Sequence, residues 1–144
     1  EDPGMTVEFD FRSWAPGEPV RVGPFTIQPI LVEHPVEAYG LRVSAGGALV
    51  AYTGDSGRCS QLETVARGAD LLLAEASFHV DAANPPGIHL TGTDCGLLAE
   101  AAGVKQLVVT HVPPWYDAED MLAAARDAWS GPSELARAGA VFDL

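Results

Sequence analysis

Positive charge is scarce in this chain. Eight lysine and arginine residues stand against twenty acids, giving a formal charge of −12, and the eight are scattered from Arg12 to Arg137. Gripping a long nucleic acid takes a concentrated set of cations that displaces counterions, so a large RNA is a poor partner. There is no apolar run of about 18 residues, which leaves no candidate for a helical membrane span. Cysteine is also rare: Cys59 and Cys95 are far apart and lack CxxC or CxxH spacing. Neither a zinc knuckle nor a disulfide framework is indicated, and reduced thiols in a cytoplasmic protein are expected. Phosphate-cradling glycine loops of the GxxxxGK or GxGxxG type are missing. Ser56 lacks a GxSxG elbow and Cys59 has no evident basic partner, which sets serine and cysteine nucleophiles aside. The opening Glu1-Asp2-Pro3-Gly4 has neither a basic-then-apolar pattern nor an initiator methionine. That start reads as no signal peptide and as a chain preceded by something else.

What is present fits one α/β domain over residues 1–144, with 47% hydrophobic residues to build a core; a chain this long buries roughly 70% of its unfolded surface. "TVEFDFRSW" alternates as an exposed strand would, and "PVRVGPFTIQPILVEH" reads as two strands broken at Gly23-Pro24. Gly46-Gly47 separates two β-rich runs at hairpin distance. Ser60 is placed as the cap of "QLETVARGA", with Glu63 completing a capping box and Gly68 as the stop. "DLLLAEASF" reads as a buried strand. Thr91 or Thr93 opens a helix whose apolar face is Leu97, Leu98 and Ala101, and which ends at Gly103. "QLVVTH" is the next strand, "AEDMLAAARDAWSG" the last long helix, and "AVFDL" a closing strand. This alternation implies a sheet with parallel pairing and helices packed on it.

The polar residues fall at the ends of the apolar runs. "ILVEHP" ends in His34, "LVAYTGDS" in Asp55, "LLLAEA" in Glu75 and "LVVTHVPP" in His111, while His89 precedes a helix start in "PPGIHLTG". If these strands share a direction, their carboxyl ends gather at one sheet edge, where α/β proteins place their sites. One such histidine is most simply a hydrogen-bonded structural residue, and His79 is read that way; Asp55 alone could be a turn residue. Three histidines and two acids at successive element ends point instead to metal-ligand chemistry. Neutral imidazoles and a carboxylate suit zinc or manganese, and Asp55 could bridge two ions with a hydroxide between them as nucleophile.

At these residues, from Ile30 to Tyr116, the sequence resembles the metallo-β-lactamase superfamily, in its phosphodiesterase branch related to ribonuclease Z. "VEHPVEAYGLRV" resembles the segment carrying the third metal motif, "VAYTGDSG" the fourth and "LVVTHVPPWYD" the fifth. The resemblance therefore implies His34, Asp55 and His111 as metal ligands for two divalent ions. "LLLAEASF" and "GIHLTG" look like the paired segments in which a glutamate and a histidine cooperate. They imply His89 as the acid that protonates the leaving alkoxide, oriented by Glu75. The family's first motif, HxHxDH, is absent. The resemblance then implies the carboxyl-terminal half of a four-layered αβ/βα sandwich, a mixed sheet with helices on one face, inactive and weakly metal-binding alone. Its partner would be the missing amino-terminal half or a second copy, unless the motif never existed and the chain is a non-catalytic module.

Asp55 follows His34 by only 21 positions, which leaves no room for the RNA-gripping arm that many tRNA-processing members insert there. Together with the acidic balance, this favours a small anionic substrate. The resemblance is strongest to actinobacterial members regarded as atypical cyclic-nucleotide phosphodiesterases. RNA 3′-end processing, or lactone or thioester hydrolysis, is the alternative. Trp115 and Tyr116, next to His111, are the candidates for contacting a nucleobase, with closing the core as the other use of an indole there.

Overall fold

The computed structural model describes residues 4–144. Its centre is one seven-stranded sheet in the order β1 to β7: Val20–Val22, Phe25–Val32, Ala38–Ala45, Ala48–Tyr52, Leu71–Glu75, Leu107–Thr110 and Ser133–Leu135. Strands β1 to β4 pair antiparallel, and β4 to β7 pair parallel. Three helices connect the parallel strands: α1 (Gln61–Ala66), α2 (Gly92–Ala102) and α3 (Ala118–Ala128). The parallel strands follow one another across the sheet, and right-handed crossovers in one direction put every connecting helix on the same face. No helix among the described residues is long and apolar enough to cross a membrane.

Direct strand partners share a face, and this sorts the side chains. Ala51, Leu72 and Leu107 lie side by side beneath the helices and join Leu62, Val65, Leu98, Met121 and Ala125 in the buried core. Arg42, beside Ala51, reaches up to the end of α1, where its Nη1 donates to the carbonyls of Thr64, Val65 and Arg67. Those are carbonyls the helix cannot satisfy internally. On the opposite face Leu41, Tyr52, Leu73 and Val108 form a second row. Of these only Val108, on β6, is fully buried; the other three are intermediate.

The hairpin is where the glycine pair places it, and Gly46 and Gly47 have the positive φ values, 61° and 94°, that such a turn requires. Thr91 caps α2 with a reciprocal capping box to Asp94, and Gly103 ends it in the left-handed conformation. Four expectations are corrected. "TVEFDFRSW" is no strand: Gly4–Val7 form a short 3-10 helix and the residues from there to β1 join no strand, since alternation marks a face but does not supply a neighbouring strand. "AVFDL" likewise joins no strand, because the edge beside β6 is taken by Ser133–Leu135, directly after α3. Ser60 already has helical dihedrals (φ −65°, ψ −24°), so its hydroxyl makes no capping bond. The face of α2 is rotated from the expected one. Leu97 and Ala101 are exposed, whereas Gly92, Cys95, Gly96, Leu98, Ala99 and Ala102 are buried. Small residues let α3 approach closely, and a Cβ on Gly92 or Gly96 would overlap the carbonyl of Met121 or Ala125.

Candidate metal centre

Strand β2 runs in the same sense as β4, β5 and β6, so the carboxyl ends of all four open onto one edge. His34 follows β2, Asp55 follows β4, Glu75 ends β5 and His111 follows β6, while His89 stands on the segment entering α2. The five come together in space. Ligand atoms of His34, Asp55 and His89 lie within 4.8 Å of one another, and so do those of Glu75, His89 and His111. His89 is the hub, with ring centroids 5.7 Å from His34 and 5.5 Å from His111. His79 is in neither group. It packs against Tyr116 at 5.5 Å and accepts a backbone hydrogen bond from Asp81, in keeping with a structural role.

Two loops are locked to make this convergence. Gly54 has φ 66°, and a Cβ there would overlap the Tyr39 carbonyl, so only glycine lets the chain turn from β4 into Asp55. Gly57 meets Gly87 backbone to backbone, and its N–H donates to the Glu33 carbonyl at 2.8 Å. That contact ties together the loops carrying His34, Asp55 and His89. Arg58 reaches Asp94 at 3.0 Å and adds a further link to α2.

Glu75 is fully buried and completely hydrogen-bonded. Its Oε1 accepts from the backbone N–H of Ser56 (3.1 Å) and Leu90 (3.3 Å), and lies 2.9 Å from His89 Nδ1. Its Oε2 accepts from the N–H of Ser77 at 3.0 Å. A buried carboxylate is costly unless satisfied in this way, and the donors fix its orientation toward His89. Burial, together with the negative charges of Asp55 and Glu75, holds the Tyr52 phenol above its ordinary range, so it stays a neutral hydroxyl. Burial raises the Cys95 thiol well above its usual value. It donates to the Glu75 carbonyl at 3.1 Å and supports the strand rather than joining the site.

The remaining residues are open. The side chains of His111 and Asp55 are 46% and 42% exposed, with His111 Nδ1 3.3 Å from Asp55 Oδ1. His34 Nδ1 is buried with no hydrogen-bond partner. A buried imidazole nitrogen left unpaired needs an explanation, and His34 belongs to a group of imidazoles and a carboxylate whose chemistry suits a divalent ion. The residues therefore fit a metal. Trp115 is 75% exposed and packs on Tyr116 with centroids 6.3 Å apart, so the indole projects outward and does not close the core. Sequence reasoning did not find Ser77 or Thr53, whose hydroxyl accepts from the Glu75 N–H at 3.1 Å. Nothing in their local pattern marks them.

Known proteins share this arrangement of sequence and fold. The family described as "Beta-lactamase superfamily domain" matches residues 4–112. The uncharacterized protein ML1173 of Mycobacterium leprae is 45% identical over 137 residues, covering 94% of this chain and 48% of the relative. A ribonuclease Z of Methanothermobacter thermautotrophicus is 35% identical over 117 residues, covering 78% of this chain and 35% of the relative. Among solved structures, the metallo-beta-lactamase fold protein YhfI of Bacillus subtilis superposes with a TM-score of 0.85 at 31% identity, over 90% of this chain and 54% of that one. The chain thus spans about half the length of the first two, or less, and little more than half of the third.

Proposed function

Because the chain belongs to the beta-lactamase superfamily domain family, we propose that this sheet edge is one part of a dinuclear metal centre that hydrolyses small phosphodiesters, cyclic nucleotides among them. His34, Asp55 and His111 are the ligands in this reading, and zinc is the first choice of ion, with manganese second. The further ligands come from a segment outside these 144 residues, whose sheet also covers the open face. The convergence of His34, Asp55 and His89 carries the proposal, supported by a His34 ring nitrogen that is buried and has no hydrogen-bond partner. Such ions supply a water of near-neutral pKa and offset negative charge at phosphorus.

The chain's own contribution is proton handling. Glu75 Oε1 accepts the Nδ1–H of His89, which fixes the tautomer and leaves Nε2 as the working nitrogen. Once protonated, Nε2–H faces the cluster and can be given to the departing alkoxide, while Glu75 stabilises the imidazolium. The surrounding N–H donors keep the Glu75 carboxyl group aligned throughout. A proton delivered from a positioned group is worth about 100- to 10,000-fold in rate.

The substrate reading rests on charge and room. The interval between His34 and Asp55 holds only the tight β3–β4 hairpin, and twenty acids face eight bases. Both weigh against a long polyanion, even though a ribonuclease Z is among the relatives. The test is a side-by-side assay of the intact zinc-loaded protein on cyclic AMP, a tRNA precursor and a lactone. Turnover of the cyclic nucleotide at least about tenfold above the others is expected; preferential tRNA cleavage would overturn the substrate reading, and no turnover of any would overturn the enzyme.

A further inference from the structure

His111 carries a positive φ of 56°, alone among the non-glycine residues described. A side chain rarely adopts this conformation, and holding it costs about 1–3 kcal/mol unless the surroundings compensate. Ser77, 6% exposed, supplies the compensation. Its hydroxyl donates to the His111 carbonyl at 2.7 Å, and the same oxygen lies 3.0 Å from His111 Nδ1. A serine hydroxyl has one hydrogen, and the carbonyl, which can only accept, has taken it. Toward the ring Oγ can then only accept, so the proton of the neutral imidazole must sit on Nδ1, and the lone pair on Nε2.

We propose that Ser77 is a positioning residue that sets the tautomer of His111, so that Nε2 is the nitrogen offered to an ion. This rests on the reading of His111 as a ligand. Asp55 Oδ1, 3.3 Å from the same nitrogen, favours the same tautomer. Asp55 is itself a candidate ligand, however, which makes Ser77 the acceptor that remains when the carboxylate turns to the ion. Ser77 also holds Glu75 Oε2 through its N–H. One residue thereby couples the proton-handling pair to a metal ligand, and outer partners of this kind govern both ring orientation and ligand basicity.

The tautomer is read directly by long-range proton–nitrogen NMR of the imidazoles in the intact protein, stripped of metal, at about pH 8 where free imidazole is neutral. Wild type and Ser77→Thr, which keeps the hydroxyl, should show His111 protonated on Nδ1. Ser77→Ala, left with only the longer contact to Asp55, should show a smaller Nδ1–H fraction than wild type and should bind zinc at least about tenfold more weakly in a competition titration. A wild-type His111 protonated on Nε2 overturns the proposal without need of any variant. So does a Ser77→Ala protein that retains both the wild-type Nδ1–H fraction and the wild-type zinc affinity. Because the tautomer is read without metal, a wild type that shows Nδ1–H but takes up no zinc defeats the metal reading and leaves the assignment of Ser77 supported.

Discussion

The two halves of the sheet are built differently. In β5 and β6 all but two residues are buried, although the strands alternate between faces. In β1 and β2, by contrast, Val20, Val22, Phe25 and Leu31 are 38–53% exposed. Both halves feed the same edge, yet they deliver different kinds of group. The parallel half supplies Glu75, whose oxygens are both engaged by backbone donors, and beside it the more open Asp55 and His111. The antiparallel half ends in His34, which has a nitrogen with nothing bound to it. On the reading proposed above, Glu75 is held in one orientation to serve His89, whereas a ring nitrogen of His34 is left without a partner.

The joint between the halves is the place to break this arrangement with the largest effect. Gly54→Ala would put a Cβ into the Tyr39 carbonyl at a φ of 66°, against the backbone of the Tyr39–Gly40 peptide, which has no flexible side chain to yield. The loss should be about 3 kcal/mol or more, read as a lowered urea midpoint. Gly47→Ala, at a φ of 94° with nothing within 4 Å, should cost about 1–2 kcal/mol for its backbone alone. Equal losses would show that Gly54 is an ordinary turn residue and that Asp55 is not locked.

A smaller change tests the buried half. Glu75→Gln leaves one oxygen where two accept, so its amide must turn an NH₂ toward a backbone donor at a cost of about 1–3 kcal/mol. Turnover in the intact protein should fall about 100- to 10,000-fold with metal content unchanged. His89→Ala should match it in rate but not in stability, since that ring is 19% exposed. Loss of zinc from either variant would move the residue from the proton-handling pair to the ligand set.

Much of this was legible in the sequence, for reasons that also explain the failures. Gly46-Gly47 and the apolar runs ending in His34, Glu75 and His111 are local signals: turn chemistry and burial act on neighbouring residues. "TVEFDFRSW" and "AVFDL" failed because a strand exists only if another lies beside it, and that is not a local property. On α2 the helical period was right but the phase was not. Leucine looked like the buried residue, whereas the approach of α3 selected Gly92 and Gly96. The candidate ligands and the proposed Glu75–His89 pair stood out at the element ends, but their support did not. Ser77 and His111 are 34 positions apart, and a serine acquires meaning only when folding brings an imidazole to its hydroxyl.

The open half is tested by His34→Ala, which should leave the metal-free protein within about 0.5 kcal/mol of wild type or slightly more stable. It removes a buried nitrogen that is already unsatisfied. The intact protein should at the same time lose zinc stoichiometry, measured by metal analysis after dialysis. Destabilisation of the metal-free form by 2 kcal/mol or more, an order-of-magnitude threshold from buried hydrogen-bond losses, would make His34 a structural residue like His79.

The smallest effect is expected beyond the sheet, at Trp115. At 75% exposure and edge-on to Tyr116, it holds nothing together, so Trp115→Ala should change stability by less than about 0.5 kcal/mol. An exposed indole beside a candidate ligand is costly in solvent unless something flat covers it in use, and stacking on a base contributes about 1–3 kcal/mol. The Michaelis constant for a nucleoside p-nitrophenyl phosphate should therefore rise about tenfold, while that for methyl p-nitrophenyl phosphate, which shares the leaving group and lacks the base, stays unchanged. A parallel rise in both would place the tryptophan against the leaving group and remove the base from the substrate reading.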